Sequence, residues 1–345
     1  MNVIVEGRRA VLKTNERPTY SQIAIHAGVS EATVSRVLNG DLKVHPERAS
    51  RVHAAVEALG YKKNRAATAL ASGRTGLIAV VIDDDLSVFA DPFWATVSSG
   101  ISRVLLENEL QTLLMVASVD KADGPVAHYL EGGEVDGAIF FQLHKHALVR
   151  RLSKQGLPVV IAGSPNSNSE LIFADTDNFG GAAQATRHLL SLGCQNVATI
   201  TGDVEASAGL QRLNGYQQAH REVGKIASKA LILQGDYTFE SGMRLTAQVL
   251  ETNPEIDGIF AANDLMALGA IRAIEESGRS VPQDVKVVGF DDSVMATNSK
   301  PSLTTIRQDI VGLGAAVAEL MIASLNGEIV TPRILKTELV IRESA

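Results

Sequence analysis

The feature that most constrains this chain is a recurrence beginning near Gly76. Short apolar, β-rich runs return at LIAVVID (77–83), TLLMVAS (112–118), GAIFFQ (137–142), PVVIAG (158–163), NVATITG (196–202), GIFAAN (258–263) and VKVVGFDD (285–292). Between most of them lie 10–18 residues with helical spacing. Strands alternating with helices imply βαβ units, parallel sheets and right-handed crossovers. Seven or more such strands over 76–345 exceed one comfortable sheet, so two doubly wound lobes are expected. The region before Gly76 has a different texture. Residues 1–18 are aperiodic and read as a flexible leader, whereas 19–60 hold three short helical segments and no strand-like run.

Charge divides at the same place. The chain of 345 residues carries 32 Lys/Arg and 39 Asp/Glu, a formal net charge of −7. Residues 1–74 hold 12 of the basic and 6 of the acidic residues, which leaves 20 basic and 33 acidic in the remainder. A head of +6 on a body of −13 suits one DNA-facing module joined to a body that does not face DNA. Cys194 is the only cysteine, which excludes an intrachain disulfide and fits a reducing cytoplasm. No apolar run is long enough to span a membrane, and residues 1–18 lack the order of a signal peptide.

The segment TYSQIAIHAGVSEATVSRVLNG (19–40) carries the sharpest local signal. Thr19 can cap a first helix whose Ile23 and Ala24 face inward. Gly28 falls where a tight turn needs positive φ. Ser30 can cap a second helix, Val34 and Val37 pack beneath the first, and Asn39-Gly40 ends it. This is helix-turn-helix spacing, in which the second helix enters the major groove. Glu31, Ala32, Ser35 and Arg36 then point outward. Glu31 is suited to a cytosine amine and Arg36 to a guanine edge. Ser21, Thr33 and Ser35 suit phosphates, and Thr19, Tyr20, Ser30 and Asn39 complete the expected DNA face. A third helix begins at Pro46, with Val52, Ala55, Val56 and Leu59 as its apolar face. NRAATALASGR (64–74) follows. It is too short to be helical alone and reads as an ordinary linker or as a hinge that folds only on DNA. In the second reading Leu70 wedges into the minor groove, with Asn64, Arg65 and Ala71 beside it.

AGVSEATVSRVLNG and ALGYKKNRAATALASGRTG resemble the Lac repressor/galactose repressor (LacI/GalR) family of bacterial regulators. RLNGY (212–216), AANDLMALGAIRAI (261–274), VPQDVKVVGFDD (281–292) and PSLTTIRQD (301–309) follow in the family order, so the likeness runs from Thr19 to Ala345. Lys63 stands where proline is common, and Thr68 where many members have arginine. The loop DLSVFADPFW (85–94) is longer than usual. The resemblance implies a cytoplasmic transcription repressor that acts as a homodimer, or a tetramer, on pseudo-palindromic operator DNA. It also implies a core like that of periplasmic sugar-binding proteins. The expected division is a leader (1–18), a helix-turn-helix domain (19–63), a hinge (64–75) and a core (76–345). In the core, one lobe takes 76–178 and 310–331 and the other takes 179–309 and 332–345.

The resemblance also implies an effector between the lobes, touched by Asp91, Phe93, Trp94, Asp177, Arg212, Tyr237, Asn263 and Asp291. Carboxylates, Asn and Arg pair with sugar hydroxyls, and aromatic rings cover a pyranose face. A sugar is therefore the expected effector, with a purine or a protein co-effector as alternatives. Each position has a plainer reading. Asp291-Asp292 can be a strand-ending turn, Arg212 a surface helix residue and Phe93-Trp94 core, while Asp264 reads as a helix cap. No cofactor, metal or catalytic centre is expected. The signatures G-x-S-x-G, P-loop and G-x-G-x-x-G are missing, His144 and His146 have no completing ligands, and Cys194 has no activating neighbour in sequence. A sugar-binding protein without a DNA function remains the rival from another class, and the helix-turn-helix disfavours it.

Overall fold

In a computed structural model of the chain, the described residues are 18–38, 41, 43–62, 73–82, 91–116, 124–141, 147–165 and 171–345. They form two units, divided between Arg74 and Thr75.

In the first unit, helices Tyr20–Ala27, Glu31–Leu38 and Pro46–Ala58 follow one another. Thr19 opens the first with a capping box. Its hydroxyl accepts from Gln22 N, and the Gln22 side chain accepts from Thr19 N at 2.8 Å. Gly28 has φ +62, the left-handed turn that an alanine adopts only with strain. Ser30 Oγ accepts from Thr33 N at 3.2 Å and caps the second helix. Ile23, Ala24, Val34, Val37, Val52 and Ala55 close a small core, with Ala27 beside them. Tyr20 and Tyr61 pack ring against ring at its edge.

The second unit holds two six-stranded sheets. The first has the order β11-β5-β4-β3-β1-β2 and the second β12-β10-β9-β8-β6-β7. β1 (Leu77–Ile82), β2 (Gln111–Val116), β3 (Gly137–Phe141), β4 (Val159–Ala162), β5 (Ile172–Thr176) and β11 (Arg333–Leu335) are all parallel. β6 (Val197–Thr201), β7 (Ile232–Gln234), β8 (Gly258–Ala261), β9 (Lys286–Asp291) and β10 (Thr304–Gln308) are parallel too, and β12 (Thr337–Val340) runs antiparallel at the edge. Central strands are buried on both faces, which is why they read as unbroken apolar runs. Helix Ile310–Leu325 packs on the first sheet, with Leu313, Val317, Leu320 and Met321 in that core. The chain therefore passes between the sheets three times. The last passage falls at Lys336. β11 pairs with β5 and extends the first lobe past residue 331, where the sequence had ended it, because a three-residue strand leaves almost no periodic signal.

Candidate functional site

In the first unit the second helix buries its valines and leaves the opposite face open. Val34 and Val37 are buried, while Glu31, Ala32 and Arg36 are exposed and Thr33 and Ser35 lie between. Thr19, Ser21 and Ser30 are exposed, and Tyr20 is half-buried against Tyr61. A polar groove beside Arg36 adds Lys43, His45, Arg48 and Arg51, none of which the sequence reading had selected. A count of cationic side chains on the first turns of the third helix would have found two of them. Asn39, Asn64, Arg65, Leu70 and Ala71 lie outside the described residues, as do the leader through residue 17, most of the hinge segment, and His144 and His146.

In the second unit a cleft runs between the carboxyl ends of the two sheets, where open α/β sheets bind ligands. Phe93, Phe141, Ser164, Asp175 and Asn178 line it from one side, and Ala206, Ser207, Arg212 and Gln308 from the other. Arg212 is at the centre. It is 6% exposed, and its guanidinium lies 3.7 Å over the Phe290 ring. Nε donates to Asn178 Oδ1 at 2.8 Å, and Nη1 donates to the Ala262 carbonyl. The same Nη1 is 3.9 Å from Asp291 Oδ1. Such burial excludes the surface-helix reading and leaves a planar donor fork fixed by its neighbours.

Asp291 is buried and accepts from Gln308 Nε2 at 2.5 Å. Burial holds its carboxyl well above the usual range, and the Arg212 charge opposes that rise. Asp91 caps helix Pro92–Glu107 through Phe93 N, and its other oxygen meets Asn263 Nδ2 across the cleft at 3.4 Å. Burial raises its carboxyl as well. Asn263 also donates to the Tyr237 carbonyl at 2.9 Å and caps helix Asp264–Glu276 through Met266 N. The cap is thus Asn263 and not Asp264. Asp264 is buried and accepts from Thr305 Oγ1 at 2.6 Å and Ser293 N at 2.7 Å, with burial pushing its carboxyl up to about 6.

The Tyr237 hydroxyl is buried with no hydrogen-bond partner among the described residues. Burial pushes it up to about 12, so it stays an O–H donor. Its ring lies over Gly202, where an added Cβ would come within 1.8 Å of Cζ, so only glycine admits this pose. Phe93 and Trp94 pack edge to face, and Trp94 also meets Phe141. Both are half-buried against the first lobe's core; Phe93 also lines the cleft, whereas Trp94 packs behind the lining residues Phe93 and Phe141.

Asp177, like Asp91 and Asn263, caps a helix. Its carboxylate accepts from Gly180 N at 2.7 Å as the cap of helix Asn178–Ser191. The carboxylate lining the cleft two residues earlier is Asp175. One oxygen accepts from Ser164 N and Oγ, the other from Thr176 N and Asn178 Nδ2. Ser164 Oγ in turn meets Ser207 Oγ and Gln211 Nε2 of the second lobe, each at 2.8 Å. Ser164, Asp175, Asn178, Ser207, Gln211 and Gln308 were missed. Strand alternation on IFADT puts Asp175 and Asp177 on the same face, so only the helix start at Asn178 separates cap from lining. Among the described residues no group of three His, Cys, Asp or Glu could hold a metal ion, and no helix is long and apolar enough to cross a membrane.

Residues 19–64 match the family described as bacterial regulatory proteins, lacI family, and residues 186–345 match a periplasmic binding protein-like domain. The HTH-type transcriptional regulator CelR of Thermobifida fusca is 37% identical over 339 residues, covering 96% of this chain and all of CelR. A solved complex of the transcriptional regulator CelR with cellobiose is 36% identical, with a TM-score of 0.75 over 95% of this chain and 100% of that one. The Lac repressor dimer bound to operator and the anti-inducer ONPF is 26% identical, with a TM-score of 0.86 over 95% of this chain and 99% of that one.

Proposed function

Because the chain belongs to the lacI family of bacterial regulatory proteins, a family of DNA-binding transcription regulators, we propose that its affinity for operator DNA is set by a sugar held between the two lobes. Arg212 carries this reading. A buried guanidinium held by Asn178 and facing Asp291, beside the unpartnered Tyr237 hydroxyl, offers donors and acceptors in the mixture that vicinal hydroxyls require. A cleft holding Asp91, Asp175 and Asp291 disfavours phosphorylated or acidic ligands. Ala206 and Ala208, small and apolar on the opposite wall, disfavour a purine. Cellobiose, the ligand of the similar CelR complex, is the first sugar to try.

DNA is read by Glu31, Ala32, Ser35 and Arg36 at base edges, with Thr19, Tyr20, Ser21, Ser30 and Thr33 on the backbone. Asn39, Asn64, Arg65, Leu70 and Ala71 extend that face in the same proposal. The protein acts as a homodimer on a two-fold symmetric operator, and no catalytic step is assigned to it. The sugar needs only unequal affinity for two lobe arrangements, a coupling of about 1–3 kcal/mol.

The test uses the only tryptophan, Trp94, against the cleft wall. Mono- and disaccharides, cellobiose first, are titrated against its fluorescence and against binding to a palindromic duplex selected in vitro. A shift in duplex affinity at the concentration that changes the fluorescence is expected. A duplex affinity indifferent to every sugar would remove the effector reading.

A further inference from the structure

Three of the four non-glycine residues with positive φ among the described residues gather at this cleft: Tyr237 (φ 67), Asp291 (φ 120) and Asp292 (φ 58). Such backbone persists only where its surroundings over-determine it. Tyr237 is held through its carbonyl by Asn263. Asp291 ends β9, with its backbone in register with Arg307 of β10, while its side chain has Gln308 and the more distant Arg212. Asp292 lies one residue past that ladder, so its positive φ has to be held by side-chain contacts.

Asp292 makes such contacts. Its side chain is 8% exposed and each carboxylate oxygen has its own arginine. Arg342 Nη2 donates to Oδ1 at 2.5 Å, and Arg307 Nε donates to Oδ2 at 2.6 Å. Arg342 is itself tied down. Its Nη1 donates to the Leu303 carbonyl at 2.8 Å, and its backbone N–H donates to Thr304 Oγ1 at 2.9 Å. Arg307 is half exposed, with Glu338 3.8 Å away. Exposed ion pairs of the Arg307 kind are weak. The Arg342 pair, 15% and 8% exposed, is shielded and charge-assisted. The clamp therefore joins the end of β9, the start of β10 and the segment after β12. None of those contacts reaches into the cleft.

We propose that Arg342, supported by Arg307, is a positioning residue for the effector site: by clamping Asp292 it keeps Asp291 in its left-handed conformation with the carboxylate turned toward Gln308 and Arg212. This rests on the sugar reading of the cleft for its function, though not for its geometry. Released from the clamp, the 291–292 backbone relaxes toward ordinary φ, and the Asp291 carboxylate swings away from both partners.

The experiment has two arms on the full-length protein. Crystal structures of wild type and Arg342→Met, both without sugar, read the geometry. Trp94 titrations with cellobiose, alongside duplex binding without sugar, read the function. Arg342→Met is expected to move the Asp291 carboxylate off Gln308. Sugar affinity is expected to weaken about tenfold, the worth of one charge-assisted hydrogen bond, with duplex affinity unchanged. Arg342→Lys, which keeps one donor to Asp292, is expected to fall between, and Arg307→Met to lose less. If Arg342→Met does not fold, Asp292→Asn is read in the same two arms. An Asp291 carboxylate that stays on Gln308, or a lower melting temperature with undiminished sugar affinity, overturns the proposal. Wild type that binds no sugar defeats the effector reading instead, and the clamp is then judged on the structures alone.

Discussion

The two units handle polar side chains in opposite ways. In the head, Glu31 and Arg36 stand in solvent and the valines beneath them make the core. In the cleft, Arg212, Asn178, Asn263, Asp264 and Asp291 are buried and spend hydrogen bonds on neighbouring protein groups. A surface that meets a large charged partner can leave charged side chains in solvent, because water satisfies them until that partner arrives. A site that encloses a small neutral ligand has to preorganise its dipoles, and each group removed leaves others stranded. Function and stability should therefore separate in the head and remain entangled in the cleft.

The strongest challenge to that contrast is Arg212→Met. It strands Asn178, Asp291 and the Ala262 carbonyl, so urea denaturation of the core should register a loss of about 3–5 kcal/mol, and the Trp94 response to sugar should disappear. A variant that lost the response at full stability would break the entanglement.

Next comes a pH effect. Asp264, with its carboxyl pushed up to about 6, binds its proton more tightly in the folded protein than in the unfolded chain. Stability tied to this group is thus fully present below the unfolded value near 4 and is lost as pH climbs through about 6. The Asp291 carboxyl, also raised, acts in the same direction. Denaturant midpoints between pH 4 and 7 should fall for wild type and fall less steeply for Asp264→Asn. Parallel slopes would contradict the burial argument.

Thr19→Ala should remove about 1 kcal/mol, because the capping box loses its hydroxyl while the packed face is untouched. Thermal unfolding of the head would register it. The smallest stability effect belongs to Arg36→Ala, within about 0.5 kcal/mol by the same measurement, yet operator preference should vanish in a duplex competition assay.

The same contrast decides what was legible in the sequence. Head signals are local: Thr19 to Gln22, Ala24 to Gly28 and Ser30 to Thr33 lie within one or two turns. Seven of the strands also announced themselves: six are buried on both faces and read as mainly apolar runs, and β2, at the sheet edge, keeps an apolar run despite its exposure. The cleft is different. Arg212 meets Asn178 across 34 positions, Thr176 meets Gln308 across 132 and Asn263 meets Asp91 across 172. Only likeness to a known family could suggest such a constellation. Even then the likeness points to Asp177 and not to Asp175, which lines the cleft two residues earlier, because the two differ only in where a helix begins. The short strands β7, β11 and β12 were invisible for a related reason: edge pairing, and not their own periodicity, makes them strands.

One comparison bears most directly on the claim that reading and regulation are separately housed. Arg36→Ala and Arg212→Met are each titrated with the selected duplex and with cellobiose, using Trp94 for the sugar. Arg36→Ala should keep the fluorescence response and lose the duplex, while Arg212→Met should keep the duplex and lose the response. If either substitution removed both, the two activities would share a site and the division drawn between head and cleft would be wrong.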